Sequence, residues 1–338
     1  MSEHILILPH LHIQNANAIS SPLTWGFPAM TAFIGLMHAL ERQCAQDRLA
    51  LCFHGIGVVC HEAKPQTSRS SFGQHSFLLT RNPLKNDGKT AAIVEEGRMH
   101  VELSLVLMLS GNASEGTQEE RIALAQRLDD YVHRMRIAGG SVLPRDNIRP
   151  ASRHHEPYIE PLVQEDDDQY TKQLNRLKRR LLPGFALILR EDALAQHKDA
   201  LQEAQLDASL LDAWLDLSRF NYRYDADKPE KQHWPLVRRP SGWLVPIPIG
   251  YCALSDEIPA DVIANARDPY TPLRFVEPLF SIGEWQSPHR LKSIEEMLWH
   301  IKPDSDESLF LLEMLAQASA DDDLFDTEFE PELDTTDY

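Results

Sequence analysis

The segment from Ile13 to Pro28 gathers amide, hydroxyl and indole groups without a single charged side chain. Asn15 and Asn17 offer donors and acceptors together, Ser20, Ser21 and Thr24 add hydroxyls that rotate to suit a partner, and Trp25 adds a flat apolar face. Such a surface suits nucleotide bases and sugar hydroxyls better than acid–base chemistry. The competing reading is a turn-rich loop whose side chains bond their own backbone. A second set of groups falls at 170–182, where Lys172, Arg176, Arg179 and Arg180 stand at i, i+4, i+7 and i+8 of a predicted helix and share one face. Leu174, Leu177 and Leu181 take the opposite face. The cationic strip matches phosphates spaced along a strand. Pairing of the arginines with Asp166–Asp168 just upstream is the alternative.

Arg136 shortly precedes Gly139-Gly140-Ser141. Paired glycines end helices and let another backbone approach closely. Beside an arginine they could admit a sugar-phosphate chain against main-chain N–H groups, although a plain helix stop explains them too. The spacing is not that of a phosphate P-loop. Arg81 and Asn82 fall on a predicted hairpin, either reaching for bases or forming ordinary turn surface. Arg274-Phe275 and the run Trp285 to Arg290, which includes His289, repeat the mixture of arginine and ring that stacks on and pairs with unstacked nucleotides.

Catalytic constellations are weaker. Cys52, His54 and Cys60 would share one face of a predicted strand, but their spacing matches no short zinc motif, and buried strand thiols are the expectation. Glu95-Glu96 reads as solvated charge at a strand end. No G-x-S-x-G, H-E-x-x-H or dinucleotide fingerprint occurs. An RNA-cutting enzyme would need a general base near a 2′-hydroxyl, for which His12, His38 and His54 are the candidates. His38 has neither a histidine nor a lysine at helical spacing. The expectation is a protein without catalytic site, metal or cofactor.

The elements that must position these groups read as α+β. A strand at His4–Pro9 is followed by a helix opened by Pro28, with apolar residues at Met30, Phe33, Ile34, Met37, Leu40 and Cys44. Strands at Leu51–His61 and Val101–Leu109 come next, then a helix begun by the capping pair Thr117 and Glu120, carrying Ile122, Ala125, Leu128, Val132 and Met135. This is most of a βαββαβ unit, the ferredoxin-like or RRM-like plan. Its last strand is either Ser141–Leu143 or Phe185–Leu189. Residues 1–145 would form this palm, with an inserted hairpin thumb at about 63–98 turning at Asn86-Asp87-Gly88.

Residues 146–302 would form an irregular elaboration. It contains a polar loop at 145–170, helices at about 170–182, 192–204 and 207–218, and an edge or extended segment at Trp243–Ala253 marked by Pro246 and Pro248. A final helix is expected from Ser287 onward, with Leu291, Ile294, Leu298 and Ile301 facing inward.

The chain has 338 residues and a net charge of −18, yet residues 303–338 hold thirteen acids and no base, leaving 38 acids against 33 bases elsewhere. The acidic tail reads as disordered and solubilising, with shielding of a basic groove as the alternative. The four cysteines lack paired spacing, and neither a signal peptide nor a long apolar span is evident, so a reduced cytoplasmic protein is expected.

Eight blocks, in order, carry a resemblance: IQNANAISSPLTWGFP, LTRNPL, AAIVEEGR, RIAGGSVLP, RRLLPGFAL, GWLVPIPIGY, NARDPYTPLRFVE and GEWQSPHR, from residue 13 to residue 290. Together they resemble the family of the second Csy subunit of the type I-F CRISPR surveillance complex. The resemblance implies a non-catalytic RRM-like subunit that grips the 5′ handle of the CRISPR RNA and pairs tightly with the large Csy subunit. It also implies neighbouring backbone Csy subunits, and contact with target DNA only through the assembled complex. On that reading Asn15–Trp25 and the Gly139-Gly140 turn line the handle groove, Arg81 and Asn82 act from the thumb, and Lys172, Arg176, Arg179 and Arg180 neutralise phosphates. Arg274, His289 and Arg290 then contact either RNA or the large subunit. A CRISPR RNA-processing endoribonuclease and a purely protein-binding scaffold are the competing readings.

Overall fold

The computed structural model describes residues 2–78, 88–89, 97–145, 155–163, 166–203, 207–222, 224, 234, 236, 240–263, 269–303 and 306–317. The elements in chain order are β1 (Glu3–Asn17), α1 (Met30–Gln46), β2 (Cys52–Pro65), β3 (Thr67–Arg69), β4 (His75–Phe77), β5 (Arg98–Ser110), α2 (Gln118–Arg134), β6 (Arg136–Ile137) and β7 (Gly140–Val142). There follow β8 (Tyr158–Pro161), α3 (Asp167–Arg180), β9 (Phe185–Leu189), α4 (Glu191–Gln202), α5 (Leu210–Ser218), β10 (Leu244–Ala253), β11 (Val276–Gln286), β12 (Trp299–Ile301) and β13 (Leu309–Met314). Among the described residues no helix is long and apolar enough to cross a membrane.

A large antiparallel sheet runs in the order β12-β13-β10-β11-β9-β2-β5-β1-β7-β6, with β8 also on β1. Ile5, Leu6, Ile7 and Leu8 of β1 are all buried, so both faces of the sheet are covered there. Each apolar position expected on α1 is buried. Thr117 and Glu120 form the reciprocal capping box, satisfying two otherwise orphaned N–H groups. On α2 the predicted Ile122 is exposed instead of buried, while Ala125, Leu128 and Val132 pack inward.

Several expectations change. The first strand does not stop at Pro9. Bulges at Leu8/Leu11 and Ile13/Ala16, with His10 and Asn15 at positive φ, absorb its irregularity, so Ile13–Asn17 is strand, not loop. Both candidates for the closing strand form: Gly140–Val142 joins β1, and Phe185–Leu189 joins β2 on the other side. The polar stretch at 145–170 contains β8.

β10 is less of an edge than its prolines suggest. Pro246 and Pro248 pair with β11, while only Gly250–Cys252 also meets β13, which leaves the missing N–H groups along the one-sided half. No helix forms at 287–301. Leu291, Ile294 and Leu298 are buried through short 3₁₀ turns at Pro288–Arg290 and Glu295–Met297, whose three-residue repeat imitates helical spacing, and Ile301 belongs to β12. A bridge from Trp299 to Ile56 then joins β12 back to β2, closing the pairing into a ring.

Candidate nucleic-acid interface

β1 delivers the uncharged segment to one end of the sheet, where Asn17 lies opposite Arg98 of β5. Beyond it the chain folds on itself. The Asn17 amide accepts from the Ile19 N–H at 3.1 Å and donates to the Ile19 carbonyl at 2.7 Å. The Ser21 hydroxyl accepts from the N–H groups of Leu23 and Thr24, at 3.1 and 3.0 Å. The hydroxyls of Ser20 and Ser21 each meet that of Thr24 at 2.7 Å, and Asn15 Oδ1 accepts from Gln66 at 2.6 Å. The self-bonded reading of this segment therefore describes its polar side chains. Asn15 and Asn17 stay exposed beside the apolar Leu23 and Trp25, the last 64% exposed and edge-on to Phe77.

The β6–β7 turn closes against this loop. Ala138 and Gly139 take positive φ, the Ala138 carbonyl accepts from the Asn17 N–H at 2.9 Å, and Arg136 donates to the Gly139 carbonyl at 3.2 Å. A Cβ on Gly140 would stand 2.6 Å from the Ile13 side chain and 2.7 Å from the Ala16 nitrogen, so only glycine lets β7 and β1 meet. Ser141, exposed, lies opposite Gln14 and Arg136. Between loop and turn is a cavity of about 780 Å³, bordered by Asn17, Ser20, His38, Arg98, Gly139 and Tyr251. Arg98 was not among the predicted residues; a glycine-arginine pair opening a strand is the signal that marks it.

On the other side of the loop, sharing Ser20, Pro28 and Ala29, is a second cavity of about 410 Å³ walled by Trp25, Phe27, Phe185, Trp243 and Trp285. Phe185 and Trp243 meet edge-on at 5.4 Å, and Phe27 meets Trp285 edge-on at 4.8 Å. Phe185, Trp243 and Trp285 come from β9, the approach to β10, and β11, elements far apart in sequence. Sequence reasoning missed this cavity, apart from noting Trp25 and Trp285.

The cationic helix lies elsewhere. Leu174, Leu177 and Leu181 are buried as expected, and Asp166 caps the helix. Arg176 pairs with Glu160 of β8, not with Asp166–Asp168, and Arg180 stacks over the Tyr158 ring at 4.1 Å. Burial pushes the Tyr158 hydroxyl up to about 12. Lys172 and Arg179 are exposed. α3 packs against the Pro288–Arg290 turn, where His289 meets the Ser287 hydroxyl at 2.8 Å and Arg290 approaches the buried Glu284 at 3.9 Å, a carboxylate that Arg190 also holds. Arg274 donates to the Glu307 carbonyl at 2.6 Å and belongs to neither group. Arg81, Asn82 and the rest of 79–87, residues 90–96 of the predicted thumb, and the tail beyond residue 317 lie outside the described residues.

The structure thus brings together Asn15, Asn17, Ser20, Ser21, Trp25, Arg136, Gly139, Gly140 and Ser141, and separately Lys172, Arg176, Arg179 and Arg180 with His289 and Arg290.

The expectation of buried thiols on β2 is corrected: Cys60 is half-buried, its thiol pushed up to about 12 by burial, but Cys52 is exposed at the strand end, while Cys44 is buried on α1. His12 lies 3.7 Å from Glu102, His38 borders the larger cavity and His54 meets the Ser110 hydroxyl, so the three candidate bases occupy separate places. His10 and His61 stack at 4.2 Å, with His155 against His10 and Glu102 2.6 Å from it. Among the described residues no three ligand-type side chains converge on a metal position.

The family model described as CRISPR-associated protein (Cas_Csy2) matches residues 6–312. The chain is also 47% identical over 317 residues to the CRISPR-associated protein Csy2 of Pseudomonas aeruginosa strain UCBPP-PA14, a match covering 91% of this chain and 94% of that protein.

Proposed function

Because the chain belongs to the Csy2 family of CRISPR-associated proteins, we propose that it is the non-catalytic subunit of the type I-F CRISPR surveillance complex that holds the 5′ handle of the CRISPR RNA. On this reading it pairs with the large Csy subunit, adjoins the backbone Csy subunits, meets target DNA only within the assembly, and works in the cytoplasm. Residues 1–145 form an RRM-like palm: β1-α1-β2-β5-α2-β7, with strand order β2-β5-β1-β7, supports a ferredoxin-like plan. The insertion between β2 and β5 is where a thumb would stand.

The observation that carries the proposal is the cavity of about 780 Å³ between the Asn17–Ser20 loop and the Ala138–Gly139 turn, with Arg98 on its border. Ala138 and Gly139, both at positive φ, bring main chain to the border of that cavity, where a sugar-phosphate chain could lie against it. Guide–target pairing reads the target sequence, so the subunit need only hold the guide in shape, while a handle of constant sequence can be read at its base edges.

Electrophoretic titration with handle RNA and with a scrambled RNA, at two salt concentrations, tests this. The handle should bind at least about tenfold more tightly, weaken steeply as salt rises, and be recovered uncut. Arg98→Ala should cost about 1–3 kcal/mol of affinity. Equal binding of both RNAs, even with the large subunit present, would overturn handle recognition; site-specific cutting lost in His38→Ala would favour an endoribonuclease.

A further inference from the structure

We propose that the aromatic cavity behind the Ser20–Pro28 loop takes one base turned out of the RNA strand, the loop acting as a partition between backbone and base. This rests on the RNA-binding reading above and names what that site does with a nucleobase. The wall is built of rings that folding leaves open: Trp25, Trp243 and Phe185 are 64%, 58% and 43% exposed. Trp285 and Phe27 stand behind them, with Leu187, Val245 and Ile247 completing an apolar wall. Exposed rings around a concave site offer a flat ligand stacking area that water does not use.

Charge excludes other ligands. Among the described residues no lysine or arginine lines this cavity, and the carboxylate that does, Glu62, is paired with Lys64 at 2.5 Å. His61 has both ring nitrogens engaged, by the Pro183 carbonyl at 2.6 Å and the Ser104 hydroxyl at 2.7 Å. Among these described residues a phosphate or carboxylate therefore finds no partner, whereas a neutral planar ring does. The larger cavity across the loop carries the opposite chemistry, with Arg98, His38 and main-chain groups. Since the two share Ser20, Pro28 and Ala29, a strand lying in the larger one needs to swing only one base over the loop to fill the smaller.

The test crosses RNA and protein changes. Handle RNAs, each with one abasic position, are titrated against the full chain and against Trp243→Ala, with Phe185→Leu as a second variant that keeps an apolar wall but loses the ring. At one position the abasic change should weaken native binding about tenfold yet alter Trp243→Ala and Phe185→Leu binding less than about twofold. Thermal melting confirms that each variant is folded. Binding of handle RNA with no position coupled to either ring overturns this inference and leaves the handle-binding proposal intact. Loss of partner-subunit association in Trp243→Ala with unchanged RNA affinity also overturns it, assigning the cavity to a protein side chain. Absence of RNA binding by the native chain removes the reading beneath it.

Discussion

His61 shows how one side chain joins the two halves of the fold. Its ring lies on β2, stacks on His10 of β1, and hydrogen-bonds the Pro183 carbonyl beyond α3. Burial is the largest cause that brings its pKa from 6.5 down to about 4; His10 and His155 press in the same direction, while the Pro183 bond and Glu102 oppose it. The unfolded chain therefore takes up the proton first. Stability contributed by neutral His61 is complete above pH 6.5 and lost as pH falls toward 4. Between pH 7 and pH 5 the loss should be about 2 kcal/mol, read from urea midpoints at the two pH values, and His61→Gln should narrow the difference between them. The polar side chains of the loop teach a related point. Asn17 and Ser21 spend their hydrogen bonds on their own turn and so shape the surface, which Asn17 also lines at the border of the larger cavity.

At the scale of elements, α3 divides its cations between structure and surface. Arg176 and Arg180 are engaged by Glu160 and Tyr158, whereas Lys172 and Arg179 face solvent. Reversing the first pair and reversing the second should therefore differ in kind. Arg176→Glu sets two carboxylates together and should cost about 1 kcal/mol of stability. Lys172→Glu with Arg179→Glu should leave the urea midpoint within about 0.5 kcal/mol and, if α3 meets phosphates, lower the salt slope of RNA binding by about 1 to 2. An unchanged slope would remove the helix from the interface. β10 makes a parallel case: its prolines fall where only β11 pairs with it, and the doubled pairing begins after them, at Gly250.

Across the whole molecule, β2 pairs with β5 and also belongs to the ring closed by β12, so the N-terminal and C-terminal parts of the chain share a strand instead of meeting at an interface. The last described strand ends at Met314 and the family match at residue 312. Residues 318–338 contribute nine acids and no base. Their deletion should leave the urea midpoint unchanged and raise affinity for unrelated RNA several-fold at low salt, as the net repulsion of a polyanion falls. Filter binding at two salt concentrations measures it. An unchanged affinity for unrelated RNA would limit the tail to solubility.

What the chain determined locally could be read directly: the apolar stripe of α1, the Thr117–Glu120 cap of α2 and the leucines of α3 all rest on interactions within a few residues. The resemblance reached the family for a similar reason, since short ordered blocks survive without knowledge of their contacts. Tertiary structure alone decided the rest. Leu291, Ile294 and Leu298 carry a spacing that a helix and successive 3₁₀ turns both satisfy, and only their packing and the pairing of Trp299 with Ile56 separate the two. Whether Arg176 met Asp166 or Glu160 depended on where β8 joined β1. The aromatic cavity could not be legible in any window of sequence: Trp25, Phe185, Trp243 and Trp285 converge only because strand pairing, which acts between residues at any separation, brings their elements to one place.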